Sequence, residues 1–299
     1  MAIDVDELLA RRKLKRRLAF WRVAALVLVV GLALAVFGGK GKGVLPHIAR
    51  VNIDGVIMDE KEREELLGEI AKNDSVKAVI VRINSPGGTV VGSEVIYKGL
   101  RKIAEEKPVV AVIDAMGASG GYIAALGADR IYARDNALTG SIGVIFQVPE
   151  FSKLMDNIGV SVNEVKTSPL KGGPSPFEPM SDEMRKSIEF MLDDAFDWFK
   201  ALVQERRNYT PEQLAAVADG RVYSGRQAIG NGLIDELGGE DEAIKWLETE
   251  KKVTKKLPVV DADKQEEFPF MAKAMAMVFG DTRLVDRLSL DGVLTLWHP

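Results

Sequence analysis

Val109-Val110-Ala111-Val112-Ile113-Asp114-Ala115-Met116-Gly117-Ala118-Ser119-Gly120-Gly121-Tyr122-Ile123-Ala124-Ala125 runs from a β-branched stretch into a glycine turn carrying one serine, and out into an apolar helix. Upstream, isoleucine and valine recur in short runs at 48–57 and 78–83, with helical patterns at 60–70 and 91–106. Strands separated by crossover helices make an α/β fold with largely parallel pairing. Downstream, strands are predicted at 130–133, 144–148 and 160–165, with a helix at 151–157 between the last two. Region 167–179 holds Pro169, Gly172, Gly173, Pro174, Pro176 and Pro179, so it is a loop, of a length usually functional or disordered.

Past the loop, Met184, Ile188, Met191, Ala195, Phe199 and Leu202 keep helical spacing in a long amphipathic helix that Ser181 caps. Thr210-Pro211-Glu212-Gln213 combines a cap, a first-turn proline and a capping-box partner, which starts another helix. A small unit of 221–223, a helix at 226–231 and Leu233-Ile234 precedes a last helix at 240–250. From Phe268 onward the tail is apolar and methionine-rich, and reads either as a helix for lipid or subunit contact or as ordinary core packing.

The 299 residues are 46% hydrophobic, ample for a buried core, and a net charge of −4 supplies no overall basic field for nucleic acid. The chain has no cysteine, which excludes disulfides, thiolate metal sites and cysteine nucleophiles. Arg11-Arg12-Lys13-Leu14-Lys15-Arg16-Arg17 precedes a stretch, 18–37, that is apolar except for Arg22 and Gly31. Its length suits a membrane-spanning helix, and the basic flank places the N-terminus in the cytoplasm and the body outside the cytoplasmic (inner) membrane. The rival reading is a cleaved signal peptide ending near Ala33-Leu34-Ala35. The expected division is a basic tail 1–17, a transmembrane helix 18–37, a linker 38–47, a catalytic domain 48–255 and a tail 256–299.

A serine hydroxyl needs a base before it can attack at neutral pH, and the two histidines, His47 and His298, stand at the edges of the chain. A desolvated lysine can take the proton instead, which points to a Ser-Lys dyad. Three loop clusters follow predicted strands. In Asn84-Ser85-Pro86-Gly87-Gly88 a proline-stiffened glycine pair lets backbone N–H groups converge on an oxyanion, although the same residues also make a plain strand-to-helix turn. In Gly117-Ala118-Ser119-Gly120-Gly121 small neighbours admit a peptide carbonyl and the following helix N-terminus favours negative charge. In Thr139-Gly140-Ser141-Ile142-Gly143, Ser141 reads as a turn residue or as a partner for a catalytic amine. Among the lysines, Lys171 stands apart in Ser168-Pro169-Leu170-Lys171-Gly172-Gly173-Pro174, a loop with no amphipathic face and no acidic partner; taken alone it reads as an exposed loop lysine.

Taken together, Ser-Pro-Gly-Gly, Ala-Ser-Gly-Gly, Leu-Thr-Gly-Ser-Ile-Gly-Val and the lysine loop ending Ser-Pro-Phe resemble the S49 serine peptidases of the signal peptide peptidase A type, in their short single-copy form. Asp219-Gly220-Arg221-Val222-Tyr223-Ser224-Gly225 and Leu233-Ile234-Asp235-Glu236-Leu237-Gly238-Gly239 extend the resemblance, which covers roughly 51–250. It implies a ClpP/crotonase-like fold of stacked ββα units, with Ser119 as nucleophile and Lys171 as general base. It further implies an oxyanion hole from the amides of Gly88 and Ser119, and Ser141 orienting the lysine. No cofactor or metal is implied. Substrates would be cleaved signal peptides and other hydrophobic peptides at the membrane.

Longer members carry two tandem copies with serine and lysine on different copies. The resemblance therefore implies a homo-octameric ring in which each serine uses a neighbour's lysine, the lysine loop becoming ordered on that neighbour. Competing readings are an α/β-hydrolase-type esterase using His298, since GxSxG after a strand is also its elbow, and a non-catalytic crotonase-like membrane scaffold.

Overall fold

The computed structural model describes residues 45–263 apart from 60, together with scattered residues between 16 and 31. Of the segment 18–37, the described residues between 18 and 31 are helical. Among the described residues no helix is long and apolar enough to cross a membrane. The transmembrane, linker and C-terminal-tail assignments fall largely outside the described residues, as does His298.

One compact unit spans Pro46–Asp263. Its strands are β1 (His47–Ile57), β2 (Val76–Gly88), β3 (Val109–Ala118), β4 (Arg130–Ala133), β5 (Leu138–Gly140), β6 (Val222–Ser224), β7 (Glu236–Leu237) and β8 (Val259–Asp261). Its helices are α1 (Lys61–Lys72), α2 (Val90–Ala104), α3 (Gly120–Leu126), α4 (Ser152–Ile158), α5 (Asp182–Arg207), α6 (Pro211–Val217), α7 (Gly225–Gly230) and α8 (Glu240–Thr249). The sheet order is β6-β5-β3-β2-β1-β8, with β4 also on β3 and β7 on β4. All pairs are parallel except β5 with β6, as crossover helices between strands require.

Central strands buried on both faces explain why these runs are almost uniformly apolar. Val79, Val81 and Ile83 of β2 and Val109, Ala111 and Ile113 of β3 face a core completed by Leu100 of α2, Tyr122 of α3 and Phe199 of α5. The alternate residues Ala78, Ile80, Val110 and Val112 face Ala243 and Leu247 of α8. β3 changes partner along its length: Val110–Ile113 pair with β4, whereas Met116–Ala118 pair with β5. Register shifts between Asp54 and Val56, and between Ile83 and Ser85, fall at the same level of the neighbouring pairs. The sheet thus forks where the three glycine-bearing loops begin.

The α/β reading, the strands at 48–57, 78–83, 109–113 and 130–133, and the capped helices hold. Ser181 accepts the Met184 N–H, and Thr210 closes its capping box with Gln213. Two expected strands do not form, since residues 144–148 and 160–165 carry no regular structure. The outer edge of β5, from which 144–148 departs, is occupied by antiparallel β6. Ile145, Phe146, Val160, Val162 and Val165 are accordingly exposed, so apolar content that read as strand is not used by this sheet. Near the C-terminal end the strand is Glu236–Leu237 rather than Leu233-Ile234, and β8 brings residues assigned to the tail into the sheet beside β1.

Candidate active site

Ser119 is the hinge between β3 and α3. Its backbone has φ 52° and ψ −119°, a conformation that disfavours any side chain, and its hydroxyl does not cap the helix it precedes. Its carbonyl accepts N–H bonds from Tyr122 and Ile123 at 2.9 and 3.0 Å, and its own N–H is given to the Gly140 carbonyl at 2.9 Å. The backbone is fully engaged, and the half-buried residue lines a groove. α3 is held at both ends. The Tyr122 hydroxyl, wholly buried, donates to Leu233 O at 2.7 Å, and burial pushes its pKa far up, so it stays a neutral donor. Arg206 of α5 gives hydrogen bonds to the carbonyls of Leu126 and Ala128, each at 2.9 Å, satisfying acceptors that a helix C-terminus leaves open.

The Ser85-Pro86-Gly87-Gly88 turn packs directly on this hinge. The buried Ser85 hydroxyl accepts the Gly87 N–H at 3.1 Å, and Gly87 has φ 104°. A Cβ at Gly87 would come within 2.8 Å of Gly120 N and 3.0 Å of Ser119 Cβ, which is why glycine stands here. Thr89 gives its N–H to Ile57 O on β1. Strand alternation therefore turns the Gly88 N–H the other way, toward the serine, and a Cβ on Gly120 would lie 3.2 Å from Gly88 N. Beside them the buried Ser93 donates its hydroxyl to Thr89 O at 2.9 Å.

The third cluster is pinned between the hinge and the Asp219–Tyr223 loop. Thr139 Oγ1 donates to Gly117 O at 2.8 Å, and Ser141, at φ 51°, gives its N–H to Arg221 O at 2.8 Å. Gly220 returns an N–H to Ile142 O at 3.1 Å. Of the two readings of Ser141, turn residue or partner for a catalytic amine, the structure shows the turn, with Ser141 at the groove.

Gly88, Ser119 and Ser141 line one groove of about 1110 Å³, whose apolar walls include Ile123 and Ile142 and, from α5, Leu192, Phe196 and Phe199. Among the described residues, the ionisable ones on its lining are Glu189, Asp193 and Asp219, with no lysine or histidine. Lys171 is not among them: it stands exposed in the 167–179 loop. The structure thus brings together the other site residues and leaves the expected base outside. It also corrects the oxyanion assignment, because the Ser119 N–H is already taken by Gly140. The amide suited to that place is Gly120, first residue of α3, which has no acceptor within its own helix. Its position one residue past the turn was the available signal.

Against this geometry, the signature of Peptidase family S49 matches residues 101–254, slightly more than half of the chain. The chain belongs to peptidase family S49. Membership in S49 removes the α/β-hydrolase reading, and the mixed α/β sheet fits the fold class that the resemblance implied. A protease-named protein of Synechocystis is 35% identical over 220 residues, covering 73% of this chain and 77% of that protein. A protease-named protein of Methanocaldococcus jannaschii is 36% identical over 199 residues, covering 65% and 64%. A protein of Enterococcus faecium named as a signal peptide peptidase is 35% identical over 221 residues, covering 69% and 64%. The matches to the last two span a little under two thirds of those relatives' own lengths.

Proposed function

We propose that this S49 member is a serine endopeptidase for hydrophobic peptides, cleaved signal peptides among them, using Ser119 as nucleophile and Lys171 of a neighbouring copy as general base. The observation that carries the reading is the strained, uncapped Ser119 at the mouth of an apolar groove. In the first half-reaction the neutral lysine amine takes the Ser119 proton as Oγ bonds to the peptide carbonyl carbon. The resulting oxyanion receives N–H bonds from Gly88 and Gly120. Collapse breaks the C–N bond, the lysine ammonium returns its proton to the leaving amine, and water then hydrolyses the acyl-enzyme with the same lysine as base. Ser141 would orient the amine at the groove.

Sharing between copies is supported by two features of the single chain. Among the described residues no lysine or histidine lines the serine's groove, and an apolar face over 145–165 lies exposed, as surfaces that meet another subunit do. A fluorophosphonate should therefore form one adduct, at Ser119, located by mass spectrometry. Its rate should climb through a basic limb, since only the unprotonated lysine acts as base; an adduct elsewhere, or a rate flat from mildly acidic to alkaline pH, would count against the dyad.

The proposed setting is a body outside the cytoplasmic membrane, tethered through 18–37. Protease added to intact spheroplasts should digest the body, whereas recovery of a soluble mature chain starting after Ala35 would mark the segment as a signal peptide.

A further inference from the structure

Lys171 is exposed, yet the loop that bears it is folded. Lys166 Nζ bridges Glu164 Oε2 at 2.8 Å and Glu178 Oε1 at 2.7 Å, and its side chain is only 18% exposed. Ser175, 8% exposed, donates Oγ to Glu164 Oε1 at 3.3 Å and accepts the Phe177 N–H at 3.3 Å. Pro176 O accepts the Phe151 N–H at 2.7 Å, tying the loop to the start of α4. Gly173 lies so close on Met184 of α5 that a Cβ there would collide with the methionine methyl. Above these contacts the tip closes two turns, Lys171 N–H to Ser168 O at 3.1 Å and Gly173 N–H to Leu170 O at 3.4 Å.

We propose that the Glu164–Lys166–Glu178 clasp, with Ser175, is a positioning device that presents Lys171 ready-folded to the serine it serves. The proposal rests on Lys171 being the base. Ion pairs near the surface contribute little to global stability, so the value of this set lies in geometry. It joins residues 11 and 12 positions apart in the chain, on either side of Lys171, so loop closure is complete before any neighbour is met. The hydrogen bonds that Lys166 gives to Glu164 and Glu178 raise its pKa, so Lys166 stays charged where a catalytic lysine must be neutral. Lys166 is a positioning residue; it reaches neither Ser119 nor its groove.

Misplacing a catalytic group by about 1 Å costs up to about 100-fold in rate. Lys166→Met should therefore lower kcat by roughly 10- to 100-fold with KM nearly unchanged, and Lys166→Arg should retain most activity. If Lys166→Met fails to fold by thermal unfolding, Ser175→Ala carries the same expectation. The side of action is read by co-assembly: Lys166→Met chains should recover with Ser119→Ala chains, which still donate an intact lysine, and not with Lys171→Ala chains. A silent Lys171→Ala with fully active Lys166→Met and Ser175→Ala overturns the clasp alone, as does a loss confined to KM. Full activity in Lys171→Ala overturns the dyad on which it rests. If Ser119→Ala and Lys171→Ala chains do not complement each other, the kcat effect and its rescue by arginine decide.

Discussion

Ser119→Ala and Lys171→Ala should each abolish peptide hydrolysis, lowering kcat by about 10⁴-fold or more, the scale seen when a nucleophile or its base is removed from a serine hydrolase. Neither should unfold the protein. Alanine at 119 keeps every backbone hydrogen bond of the hinge, because the serine hydroxyl caps nothing. Lys171 is exposed, and what the tip uses is its N–H, bonded to Ser168 O. Thermal midpoints within a degree or two of the parent are expected, that being the effect of well under 1 kcal/mol in a domain of this size. Full turnover in either variant would end the dyad.

The second large effect is a gain. Inactive Ser119→Ala and inactive Lys171→Ala chains, co-assembled, should regain part of the parent activity, because some contacts then pair an intact serine with an intact lysine. The physical ground is the separation seen in one chain, with the serine in a groove that no described lysine lines and Lys171 on a closed loop elsewhere. Verified mixed assemblies that stay silent would return both residues to a single copy.

Local chemistry was legible in the sequence where it is short-ranged. The capping box at Thr210, the cap at Ser181 and the glycine turns after β2 and β3 depend on residues within a few positions, and the structure realises each of them. Segments 144–148 and 160–165 misled because clustered apolar residues specify burial without saying against what. β5 and β8, three residues each, exist only because a partner strand runs beside them, which no local pattern reveals. The amide of Ser119 was misassigned for the same reason: its acceptor, Gly140, is placed by pairing across the sheet. The lysine loop read as open chain awaiting a partner, since its closure depends on acids at Glu164 and Glu178 beyond the glycine and proline run.

The backbone angles at Ser119 set chemistry against durability. Glycine would relax a conformation that costs a residue with a side chain about 1–3 kcal/mol, more than the about 0.5–1 kcal/mol that glycine's extra unfolded freedom takes back. Ser119→Gly should therefore melt higher than the parent, by about 2–4 °C per kcal/mol gained, while Ser119→Ala should not.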